Sequence, residues 1–131
     1  MIKKYLGVPF KDGGRDLDGL DCWGLFMLVM REFGHEVPDY KVSCFDTPGI
    51  GAAFRESIGQ WYLAEGPSPG VAVAMAIHEK APDMIQHFGV ALNKHRFIHT
   101  LEKTGVIITR LDDPFFKAKI KGLYEWRSKS R

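Results

Sequence analysis

The segment CWGLFMLVMREF, from residue 22 to residue 33, predicts a helix that is apolar on almost every side. Apolar residues three and four positions apart form one helical face, and others cover the remaining faces. The first set is Cys22, Leu25, Phe26, Val29 and Phe33, and the second is Trp23, Met27, Leu28 and Met30. A helix of this kind has to be enclosed by other elements, because each of its apolar faces is stable only when it is buried away from water. We therefore expect this helix to lie at the centre of the fold.

The residues on either side of this segment mark its two ends. Asp21 precedes the helix and can accept a hydrogen bond from its first free backbone N–H groups. Gly34 follows it and can adopt the left-handed conformation that ends a helix. The Gly- and Asp-rich residues 3–21 predict a short helical or extended start and then a loop.

The remainder of the chain changes from a helical to a strand pattern. A second helix is expected from near Gly51 to Trp61 or beyond, followed by a loop at 66–70. Short apolar runs then predict strands, and a short helix and a last strand follow from residue 115. These strands are 71–77, 84–92, 96–102 and 105–111. Helices followed by an antiparallel meander predict one α+β domain over residues 1–131, with the first helix packed on the sheet.

Composition excludes several classes of protein. The chain has 131 residues, a formal net charge of +2 and two cysteines. A charge this small, without a long basic run, does not favour nucleic-acid binding, and two cysteines do not make a disulfide scaffold. The N-terminus has no apolar stretch of signal-peptide length, and no segment has the roughly 18 apolar residues of a membrane span. We expect synthesis in the cytoplasm and no membrane insertion.

Cys22 stands where the central helix is expected to begin. Free backbone N–H groups and the helix dipole favour a thiolate at that position, and the thiolate is the nucleophilic form of cysteine. The alternative is a buried cysteine that only packs in the core. Cys44, in KVSCFD, has no candidate base and is interpreted as a structural thiol.

Two of the five histidines lie inside apolar strands and are candidates for a base. His87 and His99 belong to the predicted hairpin, whereas His35, His78 and His95 stand in polar segments. A three-residue loop at 93–95 would pair Leu92 with Arg96 and place both strand histidines on one face as diagonal neighbours. A two-residue loop would put them on opposite faces. The catalytic interpretation therefore predicts a loop with an odd number of residues.

On that interpretation the three side chains have distinct roles. His87 would be the general base for the Cys22 thiol, and His99 would bond to the other ring nitrogen of His87 and fix its tautomer. The backbone N–H of Cys22 is a candidate donor to an oxyanion. A zinc site is the rival use of one Cys and two His, but a zinc site usually has closer ligand spacing or a fourth ligand. We expect neither metal nor cofactor.

Three motifs in order resemble the NlpC-type cell-wall cysteine peptidases. YLGVPFKDGG followed by DGLDCWGL resembles the nucleophile motif, PSPGVAVAM the Pro-Gly-Asp strand, and QHFGVALNKHRFIHT the His-Val-Gly-Ile-Tyr hairpin. The resemblance covers roughly residues 3–126. It implies a papain-like α+β fold, a Cys22–His87–His99 triad, and contact between Asp21 and the free amino end of a substrate. A plain helix cap is the alternative role for Asp21.

The sequence departs from the family pattern at three positions. Phe10 replaces a Tyr whose hydroxyl points into the site, Trp23 replaces the Ser after the cysteine, and Val71 replaces the Asp of Pro-Gly-Asp. Phe10 and Trp23 are accordingly candidate substrate contacts, and core packing is the alternative for Trp23. Because lost polar contacts change what a pocket accepts, substrate preference is expected to differ.

The resemblance implies hydrolysis of peptidoglycan stem peptides, often between D-γ-glutamate and a diamino acid. Trp23, the compact length and the ending GLYEWR resemble the branch found among bacteriophage tail and prophage proteins. Phage tail proteins are therefore candidate partners, and a virion tail is a candidate location. Two alternatives remain: a tail assembly protein that uses the fold without hydrolysis, and an acyltransferase that uses the same thioester chemistry.

Overall fold

The computed structural model describes residues 2–39, 49, 52 and 60–127. A 3-10 helix at Ile2–Tyr5 leads to the two-residue strands β1 (Arg15–Asp16) and β2 (Gly19–Leu20), and then to helix α1 (Cys22–Glu32). The strands that follow are β3 (Trp61–Leu63), β4 (Ala72–Met75), β5 (His87–Ala91), β6 (Arg96–Leu101) and β7 (Gly105–Arg110). A short helix α2 (Pro114–Lys117) and strand β8 (Ile120–Trp126) end the described part.

The described strands from β3 onward form a six-stranded antiparallel sheet in the order β3-β8-β4-β5-β6-β7. Strands β4 to β7 are the predicted meander, but β8 returns to lie between β3 and β4. The prediction of a simple meander was therefore wrong at its last strand. The reason is that β4 is buried along its whole length, so its backbone N–H and C=O groups need hydrogen-bond partners on both edges.

Helix α1 packs against β5 and β6 on one face of the sheet, as predicted. Trp23 lies at the centre of this layer, with its ring centroid 5.0 Å from that of Phe26 and 5.2 Å from that of Phe88. A second apolar cluster, which includes Met75, Phe97 and Phe116, covers the other face. The predicted α+β layering, with the cysteine-bearing helix central, is confirmed.

Both predicted ends of α1 are confirmed. The Asp21 side chain accepts a hydrogen bond from the Gly24 N–H at 2.8 Å, and Gly34 has a positive φ of 87° just after the helix.

The second predicted helix and Cys44 lie outside the described residues, except that Trp61 begins strand β3. The predicted extension of this helix to Trp61 was therefore wrong. No described helix is long and apolar enough to cross a membrane.

Candidate active site

Asp21 joins the Gly-rich loop to the start of α1. Its Oδ1 accepts from the Gly24 N–H and from Arg15 Nη1, each at 2.8 Å, and its Oδ2 accepts from the Gly13 N–H at 2.8 Å. A Cβ at Gly24 would overlap the Gly14 carbonyl oxygen, so only glycine permits this close approach of loop and helix. These bonds hold the residue before Cys22 in place.

The Asp21 side chain has no exposed surface. The hydrogen bond from the Gly24 N–H shows that this side chain caps α1. Contact with the amino end of a substrate would require this carboxylate to be uncovered, and that role stays a prediction.

Cys22 is the first residue of α1, and its side chain is 4% exposed. Its Sγ lies 4.0 Å from the carbonyl oxygen of Gln86, the residue before His87. Burial, and then the negative charge of Asp21, raises the pKa of the thiol to about 12, against the opposing effect of the Trp23 and Phe88 backbone N–H groups. The expectation that the helix end keeps Cys22 as a thiolate was wrong, because burial outweighs the helix N-terminus.

The hairpin of β5 and β6 has the predicted three-residue loop. The Leu92 N–H donates to the Arg96 carbonyl oxygen at 2.9 Å, and Val90 pairs with Ile98. Asn93 closes the loop, since its Oδ1 accepts from the backbone N–H groups at 95 and 96. This register places His87 and His99 on the same face of the sheet.

The two histidines are joined by a hydrogen bond. His87 Nε2 lies 2.9 Å from His99 Nδ1, and both side chains are buried. Gly89 makes room for the pair, because a Cβ there would lie 3.2 Å from His99 Cβ and 2.8 Å from the Ile98 carbonyl oxygen. The predicted diagonal pair is thus present in the structure, and a side chain at position 89 would crowd it.

The bond to His99 assigns the two ring nitrogens of His87. His99 occupies Nε2, so Nδ1 is the nitrogen available to a further partner, and its pairing with the Cys22 thiol stays a prediction. No direct hydrogen bond joins Sγ to His87 in the part of the chain described, where the thiol instead faces Gln86. Catalytic hydrogen bonds are often long before substrate binds. Burial lowers the pKa of His87 to about 4, so both the thiol and the imidazole are neutral at pH 7.

Gln86 organises the backbone next to this pair. Its Oε1 accepts from the Ile77 N–H at 2.6 Å, and its Nε2 donates to the Met84 carbonyl oxygen at 2.6 Å. These bonds tie the segment between β4 and β5 to the start of β5, where His87 lies. Sequence reasoning gave Gln86 no role, because its bonding partners are backbone groups that a residue pattern does not reveal.

Thr109 on β7 is a second residue that sequence reasoning missed. Its Oγ1 lies 2.8 Å from His99 Nε2. Strand pairing of His99 with Ile107 makes Thr109 a diagonal neighbour on the histidine face. The signal was available in the sequence, because the parity argument used for β5 and β6 extends to the strand GVIITRL.

The two candidate substrate contacts other than Asp21 differ in exposure. Trp23 is fully buried and its Nε1 donates to the Pro38 carbonyl oxygen at 3.0 Å, so its prediction as a substrate contact was wrong. The large apolar ring fits the space between α1 and β5, which makes it a core residue. Phe10 is half-buried and forms a β-bridge with Leu20, and its contact with substrate stays a prediction.

The other histidines lie away from the pair. His78 and His95 are exposed and His35 is half-buried. Among the residues described, no group of three or more His, Cys, Asp or Glu side chains is placed to hold a metal ion.

Comparison with known proteins shows the family of this chain. Residues 7–125 match the NlpC/P60 family. The chain belongs to the NlpC/P60 family. This is a family of cysteine peptidases, and the match spans Cys22, His87 and His99.

Two curated relatives carry names that describe hydrolysis. The chain is 26% identical over 119 residues to murein DD-endopeptidase MepS/murein LD-carboxypeptidase of Escherichia coli strain K12. The aligned region covers 88% of this chain and 54% of the relative. It is 27% identical over 123 residues to gamma-DL-glutamyl hydrolase of Bacillus subtilis strain 168, covering 92% of this chain and 27% of the relative. The chain thus spans about half the length of the first relative and about a quarter of the second.

Solved structures show the same fold. An NLP/P60 family protein from Staphylococcus aureus, described as similar to lipoprotein, superposes with a TM-score of 0.70 at 18% identity, covering 98% of this chain and 39% of that chain. The NlpC/P60 domain of the peptidoglycan hydrolase SagA superposes with a TM-score of 0.61 at 19% identity, covering 95% and 91%. The predicted NlpC-type fold is confirmed.

Proposed function

We propose that this protein is a cysteine peptidase that hydrolyses amide bonds in peptidoglycan stem peptides, with Cys22 as the nucleophile. The hydrogen bond between His87 and His99 carries this proposal, together with the position of Cys22 Sγ 4.0 Å from the carbonyl oxygen of Gln86, the residue before His87. It holds one ring nitrogen of the base and leaves the other for the thiol. The family match and the names of the two curated relatives support the class of substrate.

The first half of the proposed reaction forms a thioester. The Cys22 thiol gives its proton to Nδ1 of His87 as Sγ attacks the carbonyl carbon of the substrate. The backbone N–H of Cys22 donates to the oxygen that gains negative charge. His87 then gives the proton to the leaving amine, and the C–N bond breaks.

The second half releases the acid product. His87 takes a proton from a water molecule whose oxygen attacks the thioester carbon. The C–S bond breaks, and the proton returns from His87 to Sγ. The two neutral groups of the resting site are thereby restored.

Burial determines when the first proton moves. A thiol with a pKa of about 12 and an imidazole with a pKa of about 4 do not form an ion pair on their own. Substrate has to supply the missing stabilisation, since negative charge then passes from sulfur to an oxygen that accepts backbone N–H bonds. The proposed enzyme therefore keeps its nucleophile protonated until a substrate carbonyl is in place.

For the bond that is cut, we propose the amide between D-γ-glutamate and the diamino acid. Support comes from the motif resemblance and from the name of the Bacillus subtilis relative, a gamma-DL-glutamyl hydrolase. The Escherichia coli relative is named as a DD-endopeptidase, so a cut in the cross-link between stem peptides is the competing outcome.

Digestion of purified peptidoglycan tests both the activity and the bond. Wild type and Cys22→Ala would be incubated with the same preparation, and the released fragments sequenced by mass spectrometry. New diamino-acid amino termini in the wild-type digest alone support the proposed bond, whereas freed D-alanine carboxyl ends indicate the DD bond. Fragments joined by a new amide would identify an acyltransferase, and identical digests would reject the hydrolase.

We propose a phage tail as the setting of this activity, on the strength of the sequence resemblance to tail and prophage proteins. A particle carrying Cys22→Ala would then assemble normally and penetrate the cell wall poorly. Failure of that particle to assemble would favour the alternative in which the chain is a tail assembly protein.

A further inference from the structure

The histidine pair continues into a third group on the neighbouring strand. His99 Nδ1 faces His87 Nε2 at 2.9 Å, and His99 Nε2 faces Thr109 Oγ1 at 2.8 Å. Within the described chain these are the two hydrogen-bond partners of the His99 ring. A chain of two hydrogen bonds therefore runs from the His87 imidazole through the His99 imidazole to the Thr109 hydroxyl.

Two arrangements of protons satisfy these contacts, and they differ at His87. If the Thr109 hydroxyl donates to His99 Nε2, His99 carries its proton on Nδ1 and donates to His87 Nε2. A neutral His87 then carries its own proton on Nδ1 and has no lone pair for the thiol. If Thr109 accepts from His99 Nε2, both bonds reverse, and Nδ1 of His87 is a free base.

We propose that Thr109 is a positioning residue that accepts the Nε2–H of His99 and so sets the tautomers of both histidines. The inference rests on the proposed function, because it assigns to His87 the tautomer that a base for Cys22 needs. A threonine hydroxyl can fill this role, since it accepts one hydrogen bond while its own proton goes to another acceptor. Thr109 is half-buried, so water can be that acceptor.

Strand pairing and ring packing both hold this contact in place. Thr109 pairs with Phe97 and His99 with Ile107, which fixes the diagonal between the hydroxyl and the imidazole. The His99 ring also packs against the rings of Phe97 and Phe116, with centroid distances of 4.5 and 4.9 Å. The imidazole therefore has little freedom to turn its Nε2 away from Thr109.

The accepting arrangement also serves both stages of catalysis without rearrangement. When His87 takes the thiol proton on Nδ1, its Nε2–H still donates to His99 Nδ1. His99 Nε2–H still donates to Thr109. Only the proton that moves between Cys22 and His87 changes place, and the two supporting bonds are the same before and after.

Two variants of Thr109 separate the hydroxyl from the shape of the side chain. Thr109→Val keeps the branched shape but removes the acceptor, and Thr109→Ser keeps the hydroxyl. On peptidoglycan fragments we expect Thr109→Val to lower kcat about 10- to 100-fold, part of the usual contribution of a general base, with KM changed less than about twofold. Thr109→Ser should stay within about threefold of wild type.

Nitrogen-15 NMR of the histidine rings tests the tautomers without any substrate. In wild type and Thr109→Ser, we expect His99 and His87 each to carry the proton on Nε2, and in Thr109→Val the His99 signal should shift toward the Nδ1–H form. A wild-type His99 protonated on Nδ1, or unchanged tautomers and kcat in Thr109→Val, would overturn the proposal. If the tautomers respond as expected but wild type cuts no peptidoglycan, the proposed substrate fails and the role of Thr109 stands.

Discussion

His87 Nε2 lies 2.9 Å from His99 Nδ1, on neighbouring strands and with both rings buried. One ring nitrogen of His87 is thereby occupied by a partner, and in the proposed mechanism the other accepts the proton of the Cys22 thiol. Replacing the partner should therefore damage the chemical step more than substrate binding. For His99→Ala we expect kcat to fall about 100-fold or more, with KM within about threefold, because the base loses its orienting bond.

Steady-state kinetics on defined stem peptides would measure this effect. His95→Ala is a matched control, because His95 is exposed at the hairpin loop and should leave kcat unchanged. A His99→Ala enzyme with raised KM and normal kcat would show that His99 binds substrate rather than orienting the base.

The buried imidazole of His87 makes the stability of the protein depend on pH. Burial lowers the pKa of His87 to about 4 from an ordinary 6.5. Between these pH values the unfolded chain binds a proton that the folded protein does not, so the free energy of unfolding falls as the pH is lowered from 6.5 to 4. The contribution of His87 is about 3 kcal/mol, and the lowered pKa of His99 acts in the same direction.

Urea unfolding from pH 7 to pH 4 would measure that loss. Carboxyl groups also titrate near the acid end, so the quantity of interest is the difference between wild type and His87→Gln. The variant should lose less stability than wild type over this window. If wild type and His87→Gln lose the same free energy of unfolding between pH 7 and pH 4, then His87 is not buried as a neutral group.

Trp23 should behave as a core residue. It is fully buried against Phe26 and Phe88, so Trp23→Ser, which restores the usual family residue, should cost about 3–5 kcal/mol of unfolding free energy. Phe10→Tyr, which restores another family residue at a half-buried position, should change it by less than about 1 kcal/mol. A stable Trp23→Ser protein with a raised KM would instead indicate a substrate contact.

Asp21 should contribute to the stability of the fold and not to substrate binding. Asp21→Asn removes the negative charge that pairs with Arg15 and weakens the cap of α1, and we expect a loss of about 1–3 kcal/mol in urea unfolding. Because the carboxylate is inaccessible, the ratio of kcat/KM between peptides with free and acetylated amino ends should not change. A fall in that ratio would show that Asp21 also binds the substrate amine.

Strong local patterns made the layers and the histidine pair predictable from sequence. The apolar run from Cys22 onward marked a central helix, and alternation plus an odd loop placed His87 and His99 on one face. The place of β8 was missed because strand order depends on which strand needs a second neighbour. That need is visible in the unbroken burial of β4 rather than in β8 itself.

The site was less predictable than the fold, because its electrostatics depend on burial. Position at a helix N-terminus predicted a thiolate at Cys22, but the surrounding core reverses that preference. Trp23 and Thr109 show the same limit. Trp23 follows a candidate nucleophile yet lies in the core, and Thr109 lies outside the quoted motifs yet bonds to His99.

The proposed mechanism requires Cys22 to form a thioester with a stem-peptide acyl group. Intact-protein mass spectrometry of an acid-quenched reaction with a stem peptide would test it most directly, followed by mapping of the modified residue. We expect wild type to gain the mass of the acyl fragment on Cys22, lost on treatment with hydroxylamine, and Cys22→Ala to gain none. Cleavage of the peptide by Cys22→Ala at the wild-type rate, or an acyl group mapped to another residue, would contradict the assignment of Cys22 as the nucleophile.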